Sequence, residues 1–174
     1  MSLRRMFACL MMGLVVPAML AMSVVLVMPA RAVSEKQEAA IVEKCSAIRD
    51  SLETVQHLDT RARVYLGRYY EAILTKFMTP LNMRLVENNL SESKMIENQS
   101  NFVKTRTNFT VDYIEYQKAM DGLVATSCEN EPGKFYDKLV EVRNKRAIVA
   151  KDTVRMRTLM TEHVNLVKEL RGTL

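Results

Sequence analysis

Apolar residues recur along most of the chain in alternating steps of four and three. Ile41, Cys45, Ile48, Leu52, Val55, Asp59, Ala62, Leu66, Tyr69 and Ile73 form the first stripe, and nine of these ten positions are apolar or cysteine. Such spacing repeats every seven residues and keeps one seam of a helix against a neighbour along its whole length. A second stripe passes through Met95, Gln99, Phe102, Arg106, Phe109, Tyr113, Tyr116, Met120 and Leu123. A third takes in Phe135, Leu139, Val142, Arg146, Val149, Thr153, Met156, Met160, His163, Val167 and Leu170. No strand-like alternation competes with these patterns. They predict an all-α fold, an elongated antiparallel three-helix bundle with coiled-coil-like packing. Two helices alone would leave much of each apolar face wet, whereas three enclose a shared core. The rods would be about 55–75 Å long.

Local signals divide the stripes. Ser34-Glu35-Lys36-Gln37 has the form of a capping box, in which the serine hydroxyl and the glutamine side chain satisfy helix-end amides reciprocally. Pro80 lacks an amide proton and disfavours helical geometry at Thr79, so the first helix should end or kink there. A turn is predicted at Glu87-Asn88-Asn89-Leu90-Ser91 and a second break at Glu129-Asn130-Glu131-Pro132-Gly133. Lys168, Arg171 and Gly172 suit a helix C-terminus. The alternative architecture is a four- or five-helix bundle, in which the first helix breaks near Asp59 or Pro80.

The first 32 residues change the picture. Arg4 and Arg5 precede 23 uncharged residues, Met6 to Met28, and Ala30-Arg31-Ala32 follows with small residues at the −3 and −1 positions of a cut after Ala32. A basic end, an apolar run and such a site form the secretory pattern. Residues 1–32 are therefore read as a signal peptide and 33–174 as one helical domain, exported and extracytoplasmic. If the leader is not cleaved, the run is long enough to anchor the protein in a membrane. The leader holds three of the 25 basic residues and none of the 20 acidic ones, so the remainder carries 22 against 20. The formal charge of +5 is thus no argument for nucleic-acid binding.

Cys45 and Cys128 are the cysteines that follow the leader, and their midpoint falls at residue 86–87, beside the turn predicted on other grounds. In a hairpin bent there the two come level, and an exported protein sits where disulfides persist. A Cys45–Cys128 disulfide is expected. In the loop-entropy account, closing so long a loop stabilises by roughly 4–5 kcal/mol.

Candidate chemistry is sparse. His57 and His163 should lie about 28 Å apart by helical rise, too far to share a metal or a proton relay. The sequence has no His-Glu-x-x-His, Cys-x-x-Cys, phosphate-binding glycine loop or Gly-x-Ser-x-Gly. No catalytic, cofactor-binding or metal-ligating residue is assigned, and the chain is read as non-enzymatic. The tripeptides at Asn89, Asn98 and Asn108 match the glycosylation acceptor, a match that asparagine-rich helices readily give by chance. Charge placement says more. Arg61, Arg63 and Arg68 of the first rod, Lys104 and Arg106 of the second, and Arg143, Lys145, Arg146, Lys151, Arg155 and Arg157 of the third fall at overlapping heights, roughly 17–38 Å from the cysteine end. They form a mid-body basic belt, readable as a solvated face or as a site for an anionic surface. Most aromatics at these heights should be core, with Tyr70, off the first stripe, at the edge of any binding surface. Asp59 and Arg146 both interrupt apolar stripes at roughly 21 Å and read either as a buried ion pair or as two charges that snorkel outward. The function expected is that of a spacer, adaptor or surface-assembly component that binds another protein or a cell-surface component. The alternatives are a binder of anionic polymer or lipid headgroups through the belt, and an enzyme without a recognisable motif.

Overall fold

The computed structural model describes residues 33–90 and 93–173; the expected leader and its cleavage site lie outside the described residues. Among the described residues every regular element is helical: α1 (Glu35–Glu43), α2 (Cys45–Ile73), a π-helical segment (Leu74–Met78), α3 (Thr79–Glu87), α4 (Ser93–Val124) and α5 (Pro132–Thr173). The first stripe is thus subdivided, and five α-helices stand where the pattern gave three. The break expected near Pro80 is present, the one near Asp59 is not, and one at Lys44 was not expected. α2 runs unbroken through Asp59, and the interruptions are a single turn residue, Lys44, and the π segment ahead of Pro80. The hydrogen-bond ladder continues across Lys44, whose amide donates to Ala40 O and whose carbonyl accepts from Ile48. Pro80 has no amide to offer Lys76, and its ring crowds that carbonyl. The wider π turn makes room, and α-helix resumes with Pro80 in the first turn of α3.

The capping box forms: Gln37 N donates to Ser34 Oγ at 3.4 Å, and Ser34 N donates to Gln37 Oε1 at 3.1 Å. α3 ends in a Schellman turn. Asn89 takes the left-handed conformation (φ 56°), Leu90 N donates to Leu85 O and Asn89 N donates to Val86 O. Asparagine tolerates this backbone better than most residues, which makes Asn89 a workable helix stop without glycine.

Contacts between elements fix the chain direction. The Cys45–Cys128 disulfide joins residues whose Cα atoms are 5.6 Å apart. Further along, Gln56 donates to Asp121, Tyr116 to Asp59, Arg106 pairs with Glu71, and Asn82 donates to Met95 O. Each step along the first stretch is matched by an equal step back along α4, so the two run antiparallel. α5 returns along α4, with Lys138 Nζ donating to Gly122 O (2.9 Å) at one end and Asn98 Nδ2 to Leu159 O (3.1 Å) at the other. α4 and α5 approach each other closely, while α2 stands farther from both.

Two buried clusters fill the interior. One, at the disulfide end, gathers Ile41, Cys45, Leu52, Tyr116, Met120, Leu123, Phe135 and Val142; the other gathers Tyr70, Leu74, Met78, Phe102, Phe109, Met156 and Leu159. The second departs from the first stripe: Tyr70 is 3% exposed and Tyr69 40%, the reverse of the expectation. A straight α-helix drifts by about 20° per seven residues. From Ile41 to Tyr69 the drift reaches about 80°, nearly one residue position, so Tyr70 points where Ile41 points. α2 has followed the 3.6-residue period of a straight helix.

Candidate functional site

The poorly closed side of the molecule lies between α2 and α5. Its floor is α4, which presents Phe109, Tyr113 and Tyr116, all buried. Their rings form a chain, with Phe109–Tyr113 centroids 6.3 Å apart and Tyr113–Tyr116 5.7 Å, and Tyr70 sets its edge to Phe109 at 6.0 Å. This ladder wedges the outer helices apart. The walls carry small side chains, Ala62 on α2 and Ala147 and Ala150 on α5, which cannot fill the gap. The result is an open cleft of about 610 Å³ rimmed by Arg63, Arg143 and Arg146.

Polar contacts organise its disulfide-proximal end. Arg146 grips Asp59 with two bonds, Nε to Oδ2 at 2.8 Å and Nη2 to Oδ1 at 2.9 Å, while the Tyr116 hydroxyl donates to the same Oδ2 at 2.6 Å. One carboxylate thereby ties α2, α4 and α5 together. Desolvation first, and then the hydrogen bond to Asp59, push the Tyr116 phenol well above its ordinary range. The hydrogen bond to Asp59 raises Arg146 further. The pair forms but is not buried: the Asp59 side chain is 17% exposed, but that of Arg146 is 55% exposed. Arginine's long stem lets the guanidinium reach the rim while its base stays on the seam. Arg63 lies over the Tyr113 ring at 5.0 Å, a cation–π contact.

A second cleft, of about 590 Å³, lies between the π segment with α3 and the last third of α5. Its lining is apolar, including Ile73, Phe77, Met160, Val164 and Val167, with Lys76, Arg84 and Lys168 among it and no acidic residue. His163 also lines it. This imidazole is 7% exposed, and its Nδ1 has no hydrogen-bond partner. Burial lowers its pKa, favouring the neutral ring. His57, by contrast, is exposed on α2.

The eleven belt residues do not share one face. Arg63, Arg143 and Arg146 line the α2–α5 cleft; Arg68 and Arg106 line a groove between α2 and α4, where Arg106 pairs with Glu71; Arg155 turns toward Glu162 at 3.5 Å on the α4–α5 side. Arg61, Lys104, Lys151 and Arg157 are exposed and Lys145 is half-buried. Height along a helix followed from residue count, but direction around it did not. Sequence reasoning also missed the exposed apolar residues Leu58, Tyr65, Phe77, Val154 and Val164. The available signal was their position off the stripes: large apolar residues left over once the core is assigned. Tyr65 and Tyr69 stack nearly parallel (3°) on this surface.

Asn98, the middle glycosylation match, is 5% exposed and donates to Leu159 O, so its amide is committed to the α4–α5 interface. Among the described residues no group of three or more His, Cys, Asp or Glu is placed to hold a metal ion, and no helix is long and apolar enough to cross a membrane. No family model, curated protein or solved structure matches the chain.

Proposed function

We propose that this is an exported, non-enzymatic interaction protein: a bundle of three rods, the first built from α1 to α3, which docks an acidic amphipathic helix of a partner protein in the cleft between α2 and α5. The observation that carries this reading is the cleft itself, a largely apolar trough open along one side and rimmed by arginines. A helix presenting apolar residues at i, i+3, i+4 and i+7 fits such a trough, and acidic flanks would meet Arg63, Arg143 and Arg146. The leader over 1–32 would deliver residues 33–174 outside the cytoplasm, where the disulfide persists.

The test uses oxidised protein beginning at Val33 and two labelled amphipathic helical peptides with identical apolar faces, one with Glu flanks and one with Lys flanks. Fluorescence anisotropy should show binding of the acidic peptide, weakened by salt and at least tenfold by the Arg63→Glu, Arg143→Glu double variant. Equal binding of both peptides, or indifference to the variant, would remove the reading. The second reading is an anionic polymer or lipid headgroup surface contacting the belt. The number of exposed cations favours it, while their spread around the molecule disfavours contact with a flat membrane. Salt-sensitive retention on an anionic matrix, without peptide binding, would select it.

A further inference from the structure

We propose that the second cleft, the one lined by His163, is a binding site for a free fatty acid, whose chain lies along the apolar trough and whose carboxylate meets Lys76, Arg84 and Lys168. This inference is independent of helix docking, which uses the other cleft.

Three observations lead to it. The first is shape and lining. About 590 Å³ lies within the range of small-molecule sites, and the walls are mainly aliphatic and aromatic. Phe77 is 61% exposed and Val164 51%, so large apolar surfaces stand open at this end of the molecule. The second is charge. Every charged residue that lines the cleft is basic, and among the described residues Lys76, Arg84 and Lys168 make no ion pair. An apolar trough with only cations along it matches an amphiphile whose head is an anion; a neutral alcohol or a cationic detergent matches only half of it. The third is His163. Its ring lines the cleft and burial favours the neutral form, so it adds no charge to the wall, and its Nδ1 is closed off from the open space. The occupant that satisfies the apolar lining and the cations together is a single-chain carboxylic acid.

The probe is sodium laurate below its micelle concentration, with 1-dodecanol and dodecyltrimethylammonium as the neutral and cationic arms. Isothermal titration into the oxidised protein should give saturable laurate binding at least tenfold tighter than either control. Arg84→Glu with Lys168→Glu, both exposed positions, should weaken laurate at least tenfold and leave dodecanol unchanged. Far-UV circular dichroism checks that each variant is folded. A measurement on the unaltered protein stands beside them: the ¹⁵N resonances of the His163 ring should move on saturation with laurate, while those of His57 stay in place. Equal affinity for laurate and dodecanol, laurate binding unaffected by the charge reversals, or a silent His163 ring would each overturn the proposal. Binding of anionic vesicles without binding of free laurate would overturn it too, by assigning the surface to a membrane.

Discussion

α5 has two neighbours and treats them differently. Toward α4 it contributes Phe135, Val142, Met156 and Leu159, each 3% exposed or less, and these share cores with Phe102, Met120 and Leu123. Toward α2 it offers Ala147, Ala150 and Val154 across an open cleft, held by the Arg146–Asp59–Tyr116 contacts and by small apolar patches. Small residues often let helices approach, as in close-packed membrane pairs. Here the aromatic ladder of α4 stands beneath both walls and prevents it. The width of a helix–helix gap is thus set by the third helix as well as by the two that face each other.

The largest test of this contrast is removal of the disulfide. Cys45→Ser with Cys128→Ser should lower stability by about 4–5 kcal/mol in urea denaturation, since the loop it closes is long. Hydrogen exchange should show where the loss falls. α1 and α2 amides should lose protection first, because α2 has the weaker lateral interface, while α4 and α5 hold. Equal loss in all helices would mean that the α2 side is as firmly packed as the other.

Next in size is a pair of substitutions on the two faces of α5. Met156→Ala, at a fully buried position, should cost about 2–5 kcal/mol. Ala150→Leu, in the cleft, should stay within about 0.5 kcal/mol of the parent, as exposed substitutions do. A cost above about 1 kcal/mol for the second would show that the cleft closes in solution.

A smaller effect is pH-dependent and belongs to the tight interface. Asp152 of α5 lies beside Asp112 of α4, and its Oδ2 is buried without a partner. Burial, and then the Asp112 carboxylate, push Asp152 up to about 6. An unfolded aspartate titrates near 3.9, so between these values the folded protein binds the extra proton. The contribution is fully present below about pH 4 and is lost as pH rises through 6. Relative to Asp152→Asn, which has no such proton, the wild type should therefore gain stability as pH falls from 7 to 4. The gain should be on the order of 1 kcal/mol after solvent screening. Thermal melts of both proteins across that range check it, and a constant difference would dismiss the shift.

The smallest effect concerns the contact that spans the open side. A double-mutant cycle of Asp59→Asn and Arg146→Met should give a coupling of under about 1 kcal/mol, because the guanidinium is more than half exposed. Asp59→Asn alone should cost more than Arg146→Met, since Tyr116, buried beneath, also depends on that carboxylate. A coupling of several kcal/mol would mean that the rim is drier than the cleft's openness implies.

Whatever depends on distance along a helix axis was legible in the order of residues. Helical periodicity gave the all-α class, and Ser34–Gln37 and the Asn88–Asn89 turn were legible because capping is local. The pairing of Cys45 with Cys128 and the meeting of Asp59 with Arg146 followed from counting residues outward from a turn, since each residue advances the axis by a fixed rise. Tertiary structure decided what depends on angle and width. A small phase drift, repeated over α2, turned Tyr70 inward and Tyr69 outward. The rotational positions of the basic residues scattered the belt around the molecule, with six of the eleven in three separate grooves and the rest elsewhere on the surface. Phe109, Tyr113 and Tyr116 form the floor of a cleft whose walls include Ala62, Ala147 and Ala150, residues that read alone signal nothing. Rise errors stay within a turn and are corrected at each fixed contact. Angular errors accumulate along a helix until a neighbour stops them, and which neighbour does so is written in no single stretch of the chain.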